Sequence, residues 1–408
     1  MNRKIRESCG VLGIKTPGHD VFPDLYNGLY TLQHRGQESA GIATLTDGCI
    51  NVHRDMGLVS PVFKDVYLEG DIGVGHVLYN NTGGSCLENT QPFVVNHSRV
   101  SFAVSHNGNL VNTCQLRDQL ESKGNIFTST SDTEVISQLI AREKVRTKDL
   151  ISALKNTMNY LIGSYSLVLM AGGGRLVAVR DPHGIRPLCL GSTGEGYIVS
   201  SESCVFDVLG YEYVRDIRPS EILLIDSKNR LHSEYGPPPK PRHCMFEYVY
   251  FSRPDSVIDG VSIYDVRLRL GQILARDQPA EADLVIAVPD SGVNHAIGYA
   301  RGSKIPYGEG LIKNRYIGRT FILPAEQKRD KKVKLKLNTL KTQVKDKKIV
   351  LVDDSIVRGT TMRQLVGILK KAEAREVHVR ISCPPLRHPC YYGIDMQSYK
   401  EFIADKKT

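Results

Sequence analysis

The stretch Lys348-Ile-Val-Leu-Val-Asp-Asp-Ser-Ile-Val-Arg-Gly-Thr-Thr361 holds the densest chemistry in the sequence. An apolar run ends in two adjacent carboxylates, Asp353 and Asp354. A short segment carrying Ser355, Arg358 and Gly359 then leads to the hydroxyls of Thr360 and Thr361, where a helix opens. Backbone N–H groups of such a turn and helix start converge on one spot, and the three hydroxyls add donors, which suits a phosphate. Paired carboxylates beside a phosphate suit the hydroxyls of a sugar and a share in holding Mg²⁺. The GxxxxGK[ST] spacing of a Walker loop is absent. A strand followed by a capped helix would account for a lone Asp-Asp; the full string favours a ligand site. The second candidate is Cys9, in the apolar run Cys9-Gly-Val-Leu-Gly-Ile14 behind an eight-residue polar leader. Taken alone, such a cysteine reads as ordinary core.

The elements that must position these groups differ between the two halves. The first half alternates short strands, Cys9–Ile14, Ile72–Val77, Val100–Val104, Tyr165–Met170, Leu176–Val179 and Glu221–Ile225, with tight Gly or Asn turns. Helical periodicity falls around residues 24–33, 113–122, 133–142 and 149–160. Strands and helices grouped in runs predict a layered α+β domain with mostly antiparallel sheet. Gly236-Pro-Pro-Pro-Lys-Pro-Arg242, four prolines in seven residues, is too stiff and donor-poor for a regular element. A boundary there divides 9–236 from 243–408. Beyond it, Leu284–Val288, Ile349–Val352 and Val377–Ile381 alternate with helices in the βαβ rhythm of a parallel sheet. In such a sheet the ligand lies past the carboxyl ends of the strands, which points to the residues after 288 and 352.

A chain of 408 residues predicts two or three domains, and 41% hydrophobic with 24% charged residues describes an ordinary globular protein, not a disordered or fibrous one. No apolar run approaches the ~20 residues of a membrane span, and the first residues lack the apolar centre of a signal peptide. A cytoplasmic protein with no membrane partner is expected. Nine cysteines without a CxxC pair are expected to be reduced thiols. Of the formal net charge of +9, a net +8 sits in residues 327–348, ten Lys/Arg against two Asp. With no interleaved aromatics, that segment reads as a solvated or anion-binding loop, so no nucleic-acid partner is expected.

Four motifs together resemble a glutamine amidotransferase domain of the N-terminal-nucleophile class: Cys9–Ile14, Leu32-Gln-His-Arg-Gly-Gln-Glu-Ser-Ala-Gly41, Asn107-Gly108-Asn109 and Ser131-Asp132-Thr133-Glu134. The 348–361 string is similar to the one with which phosphoribosyltransferases hold 5-phosphoribosyl 1-pyrophosphate, and Val288-Pro-Asp-Ser291 resembles their pyrophosphate loop. Over residues 9–408 the chain resembles the glutamine phosphoribosylpyrophosphate amidotransferase family. The likeness continues through Arg180–Pro187, Ser200–Cys204 and Glu247–Ser256. It implies an αββα-layered α+β glutaminase domain followed by an α/β phosphoribosyltransferase domain of type I. The implied reaction uses glutamine and phosphoribosyl pyrophosphate, makes 5-phosphoribosylamine, pyrophosphate and glutamate, and opens purine biosynthesis. Cys9 would be the nucleophile after loss of residues 1–8, Asn107 and Gly108 the oxyanion donors, and Asp132 the partner of the glutamine ammonium. Asp353, Asp354, Ser355, Arg358, Gly359, Thr360 and Thr361 would bind phosphoribosyl pyrophosphate, with Ser291, Asp353 and Asp354 at Mg²⁺-associated positions. Lys313, Arg315, Tyr316, Arg319 and Phe321 resemble the family's mobile flap. Purine nucleotide inhibition and a homodimer or homotetramer are further implications.

Three features depart from the family pattern. Gly75-His-Val-Leu-Tyr79 carries Leu78 where the family has an Arg for the glutamine α-carboxylate. A lost charge-assisted hydrogen bond weakens binding by about 1.5–3 kcal/mol unless another base substitutes. Cys244 and Cys390 match two of four [4Fe–4S] ligands, but the C-terminal CxxC that supplies the others is missing. A Cys₄ cluster takes all four thiolates, so a stable cluster is not expected. The sequence stops at Thr408, where relatives continue. Two alternatives stay open: a transferase driven by free ammonia, and a non-catalytic phosphoribosyl pyrophosphate-binding regulator.

Overall fold

The structure, a computed structural model, describes residues 9–79, 86–97, 100–314, 337–394, 396 and 398–404. The chain divides into two compact units. The first runs to Glu247 and adds Phe251–Val261 and Cys390–Gln397; the second holds Tyr248–Tyr250, Ser262–Pro389 and Ser398–Thr408.

Among the described residues, the two large sheets of the first unit are built from thirteen strands: β1 (Gly10–Lys15), β2 (Ser39–Thr46), β3 (Cys49–Met56), β4 (Ile72–Leu78), β5 (Phe93–His97), β6 (Val100–Leu110), β7 (Gly163–Ala171), β8 (Arg175–Arg180), β9 (Cys189–Ser192), β10 (Tyr197–Ser200), β11 (Glu212–Asp216), β12 (Glu221–Ile225) and β13 (Leu231–Tyr235). They form two antiparallel sheets, ordered β11-β9-β10-β1-β4-β2-β3 and β13-β12-β8-β7-β6-β5. Alternation of side chains along each strand sets the layers. On β1, Val11 joins Val168, Met170 and Ala178 between the sheets. Its neighbours Leu12 and Ile14 face the other way, among Leu25 and Leu29 of α1 (Phe22–Thr31). On β7, Leu167 and Leu169 turn outward to α2 (Thr113–Glu121), α3 (Asp132–Thr147) and α4 (Leu150–Met158), through Leu116, Ile136, Ile140 and Leu154. Helix, sheet, sheet, helix is the layering the family resemblance implies.

Strand β6 runs six residues past the expected end at Val104. Ser105, His106 and Asn107 break the apolar pattern of the sequence yet are buried, because the strand is covered on both faces. The proline run 236–242 does not leave the first unit. Backbone N–H groups of Lys240, Arg242 and Cys244 donate to the carbonyls of Pro182, His183 and Ile185, at 2.8, 2.7 and 3.2 Å, and carry the unit on to Glu247.

In the second unit a parallel sheet is ordered β14 (Leu284–Ala287), β15 (Lys348–Asp353), β16 (Glu376–Ile381). Val285, Ala287, Val350 and Val352 face α5 (Ile263–Asp277) and α6 (Val293–Ser303). Leu284, Ile286, Ile349 and Leu351 face Met362, Leu365 and Leu369 of α7 (Thr360–Lys371). No helix among the described residues is long and apolar enough to cross a membrane.

Candidate functional sites in the two units

Cys9 sits just ahead of β1, whose pairing with β4 starts at Gly10 opposite Val77. It is 4% exposed, and its Sγ donates to the Tyr79 carbonyl at 3.3 Å while accepting from the Tyr79 N–H at 3.4 Å. Burial pushes the thiol up to about 11, against the pull of the Tyr79 hydrogen bond. At neutral pH a thiol with that value is ionised in only about one molecule in ten thousand, so attack on an amide needs a base close by.

Asn107, on β6, is fully buried, and neither its Oδ1 nor its Nδ2 has a hydrogen-bond partner among the described residues. A buried amide left unpaired costs about 1–3 kcal/mol unless a ligand completes it. Gly108 follows at φ +154°, and a Cβ there would lie 2.1 Å from the Ser164 carbonyl oxygen, so only glycine brings the backbone into this position. Asp132 opens α3 behind the Ser131 cap; its Oδ2 accepts from the Leu110 N–H at 3.0 Å, and Oδ1 lies 3.4 Å from His106 Nδ1. Burial works against its charge, but His106 and the surrounding hydrogen bonds hold the carboxyl below its usual range. Its charge also raises the Cys9 thiol. Leu78 is buried at the end of β4, where its carbonyl accepts from the Glu38 N–H at 3.1 Å.

One feature of this site was not legible in the sequence. Arg35, fully buried, donates from Nε to the Cys9 carbonyl at 3.1 Å, from Nη1 to Glu202 at 2.5 Å and from Nη2 to both Glu247 oxygens at 2.9 and 3.0 Å. Glu247 also takes Arg186 Nη1 at 3.0 Å. Burial disfavours the Glu202 charge; His34 and Arg35 outweigh it and hold the carboxyl well below the usual range. The quoted motifs contain all these residues, but nothing in their spacing joins partners 167 and 212 positions apart.

In the second unit, Asp353 ends β15 and Asp354 follows it. Ser355 Oγ donates to Asp354 Oδ1 at 2.5 Å, and the Asp354 N–H donates to Asp353 Oδ1 at 2.9 Å. Asp354 is 4% exposed; burial raises its pKa, while hydrogen bonds from Ser291, Ser355 and Asp353 oppose that. Ser291, after β14, thus meets Asp354 from the neighbouring strand end, as the rule for open parallel sheets anticipates. Gly359 caps α7 at φ +72°, followed by Thr360 and Thr361; Arg358 is half-buried. Lys313 Nζ pairs with Asp290. The remaining flap candidates, Arg315, Tyr316, Arg319 and Phe321, lie outside the described residues.

Two carboxylates and a hydroxyl fit Mg²⁺, which keeps several ligand positions for water and substrate phosphate oxygens. The cluster donors fit less well. Cys244 and Cys390 are both in the first unit and near enough to interact electrostatically. They are two thiols where four are needed, and among the described residues no group of three His, Cys, Asp or Glu could hold a metal ion.

These sites define a glutamine amidotransferase unit coupled to a phosphoribosyltransferase unit. The family model for a glutamine amidotransferase domain matches residues 85–207, and that for a phosphoribosyl transferase domain matches 263–403. The chain is 51% identical to the amidophosphoribosyltransferase of Methanocaldococcus jannaschii, over 98% of this chain and 89% of that one. It is 45% identical to the Bacillus subtilis amidophosphoribosyltransferase, over 99% and 85%. A solved glutamine phosphoribosylpyrophosphate amidotransferase from B. subtilis, complexed with ADP and GMP, superposes with a TM-score of 0.91 at 44% identity, covering 98% of this chain and 87% of that one. The solved structure of an allosteric regulatory enzyme of purine biosynthesis superposes at 0.92, over 98% and 86%. The chain belongs to the amidophosphoribosyltransferase family. It is an enzyme of purine biosynthesis, transferring glutamine-derived ammonia to 5-phosphoribosyl 1-pyrophosphate to give 5-phosphoribosylamine, pyrophosphate and glutamate.

Proposed function

We propose that residues 1–8 are removed and that Cys9 then cleaves glutamine. Its freed α-amine, with an ordinary pKa of about 7.7–8.0, takes the thiol proton, and Sγ attacks the amide carbon. The proton passes to the nitrogen as the C–N bond breaks and ammonia leaves, and water then hydrolyses the thioester to glutamate and the free thiol. The Asn107 Nδ2 and the Gly108 N–H hold the tetrahedral oxyanion, and Asp132 meets the substrate ammonium. The unpartnered, fully buried Asn107 amide carries this reading, since an oxyanion supplies the acceptor it lacks.

In the second unit, Ser355, Arg358, Gly359, Thr360 and Thr361 cradle the 5-phosphate, and Asp353 and Asp354 take ribose hydroxyls. Ser291, Asp353 and Asp354 would hold Mg²⁺, which when bound would screen the charge of a pyrophosphate. Lys313 belongs to the segment that resembles the family's flap, whose closure would exclude water from the reaction with ammonia. No step runs through an iron–sulfur cluster. Purine nucleotides inhibit the enzyme, which works as a cytoplasmic homodimer or homotetramer.

The test is pyrophosphate release from phosphoribosyl pyrophosphate and Mg²⁺, with glutamine and ammonium in parallel, on protein of measured N-terminal mass. Turnover with both nitrogen sources supports the scheme. Leu78 favours a second reading, in which glutamine binds poorly and ammonium is the effective donor; turnover with ammonium alone would establish it.

A further inference from the structure

Glu202, just after β10, is fully buried and receives four conventional donors. Oε1 accepts from Arg35 Nη1 at 2.5 Å and His34 Nε2 at 2.8 Å; Oε2 accepts from the Arg253 N–H and from Ser256 Oγ, each at 2.8 Å. All three Arg35 nitrogens are therefore committed, Nη1 to Glu202, Nη2 to Glu247 and Nε to the Cys9 carbonyl. A guanidinium gripped on two edges by two carboxylates has one orientation left, and that orientation directs Nε at the Cys9 backbone.

This matters most once the leader is gone. Cys9 would then have a single covalent neighbour, Gly10, and chain ends are the least ordered part of a domain unless tied down. The sheet pairing begins only at Gly10. A held carbonyl fixes the torsion between Cα and the carbonyl carbon of Cys9, and so the directions of its amine and its Sγ. Resting on the assignment of Cys9 as nucleophile, we propose that Glu202 is a positioning residue for glutamine cleavage, acting through Arg35 on the Cys9 backbone.

The isosteric change Glu202→Gln puts an NH₂ against donors and removes one charge from the grip on Arg35. It is tested in the full chain with its N-terminal mass checked, measuring kcat and KM for glutamine together with ammonium-driven pyrophosphate release. Expected is a fall of at least about tenfold in glutamine kcat with KM changed by less than about threefold, because misdirected attack slows chemistry more than binding. Ammonium-driven turnover, which belongs to the second unit, stays within about twofold. Glu202→Asp, keeping the charge on a shorter reach, recovers part of the lost kcat, and it carries the test by the same criteria if Glu202→Gln is insoluble. Glutamine kcat within about twofold of the parent, or equal loss of both activities, overturns the proposal. Cys9→Ser runs alongside: if it still turns over glutamine, the nucleophile assignment fails, whatever Glu202 does.

Discussion

The Asn107 side-chain amide has no hydrogen-bond partner among the described residues. Asn107→Ala removes the donor proposed for the oxyanion, and the expected loss is about 10²–10³ in glutamine kcat with ammonium-driven turnover unchanged. Parallel steady-state assays with the two nitrogen sources check this. His76 makes a different prediction. It is fully buried on β4, its Nε2 donates to the His106 carbonyl at 3.0 Å, its Nδ1 has no partner among the described residues, and burial lowers its pKa to about 3. In the unfolded chain a histidine titrates near 6.5, so between these values the unfolded state binds the extra proton. This contribution to stability is complete above about pH 6.5 and is lost as the pH falls towards 3, at up to about 1.4 kcal/mol per pH unit. Denaturant unfolding from pH 7 to 4 should show that slope, and His76→Gln should flatten it. Cys9, Asn107 and Asp132 could be proposed from the sequence because each lies in a contiguous motif. His76, inside Gly75-His-Val-Leu-Tyr79, gave no sign that its ring would be sealed between strands.

At the scale of elements, the two sites sit where regular structure is interrupted by glycine. Gly108 lets β6 pass close to Ser164 on β7, and a methyl group there meets backbone that cannot move away. Gly108→Ala should abolish glutamine turnover and lower the melting temperature of the first unit, measurable by calorimetry beside the activity assay. Gly359 is more forgiving in space. Its added Cβ meets the Cδ1 of Ile403 at 2.7 Å, a side-chain end able to swing aside, so the left-handed backbone at φ +72° sets the cost at about 1 kcal/mol. Gly359→Ala should raise the KM for phosphoribosyl pyrophosphate with both nitrogen donors. The anticipated strands and helices and the βαβ rhythm lie within a few residues of their expected places, but β2, β3, β5, β9, β10, β11 and β13 were not anticipated. Nor was the far end of β6, because its polar residues carry the site and so hide the strand that holds them. The proline run misled for a related reason: it lacks a regular element, yet three backbone N–H groups in and after it fasten it to the first unit.

For the whole molecule, two chemistries in separate units make separable lesions. Cys9→Ser should remove glutamine turnover and spare ammonium turnover, whereas Asp354→Asn should remove both, as both routes end on phosphoribosyl pyrophosphate. Pyrophosphate release in the paired assay distinguishes them, and loss of ammonium turnover in Cys9→Ser would contradict the division. Sequence order alone suggested two consecutive domains, but Cys390–Gln397 belongs to the first unit. There Asn109 Nδ2 donates to the Tyr391 carbonyl at 2.8 Å, while Ser164 Oγ and Arg186 Nη2 each donate to the Tyr392 carbonyl at 2.9 Å. No local pattern betrays a pairing across 282 residues. The same pairing bears on the order of synthesis. Domains generally fold as they leave the ribosome, amino-terminal first, but Cys390–Gln397 of the glutaminase unit is translated only after residues 262–389 of the second unit. The hydrogen bonds to Tyr391 and Tyr392 form only once those residues have been made, so a chain stalled midway through translation lacks this strap.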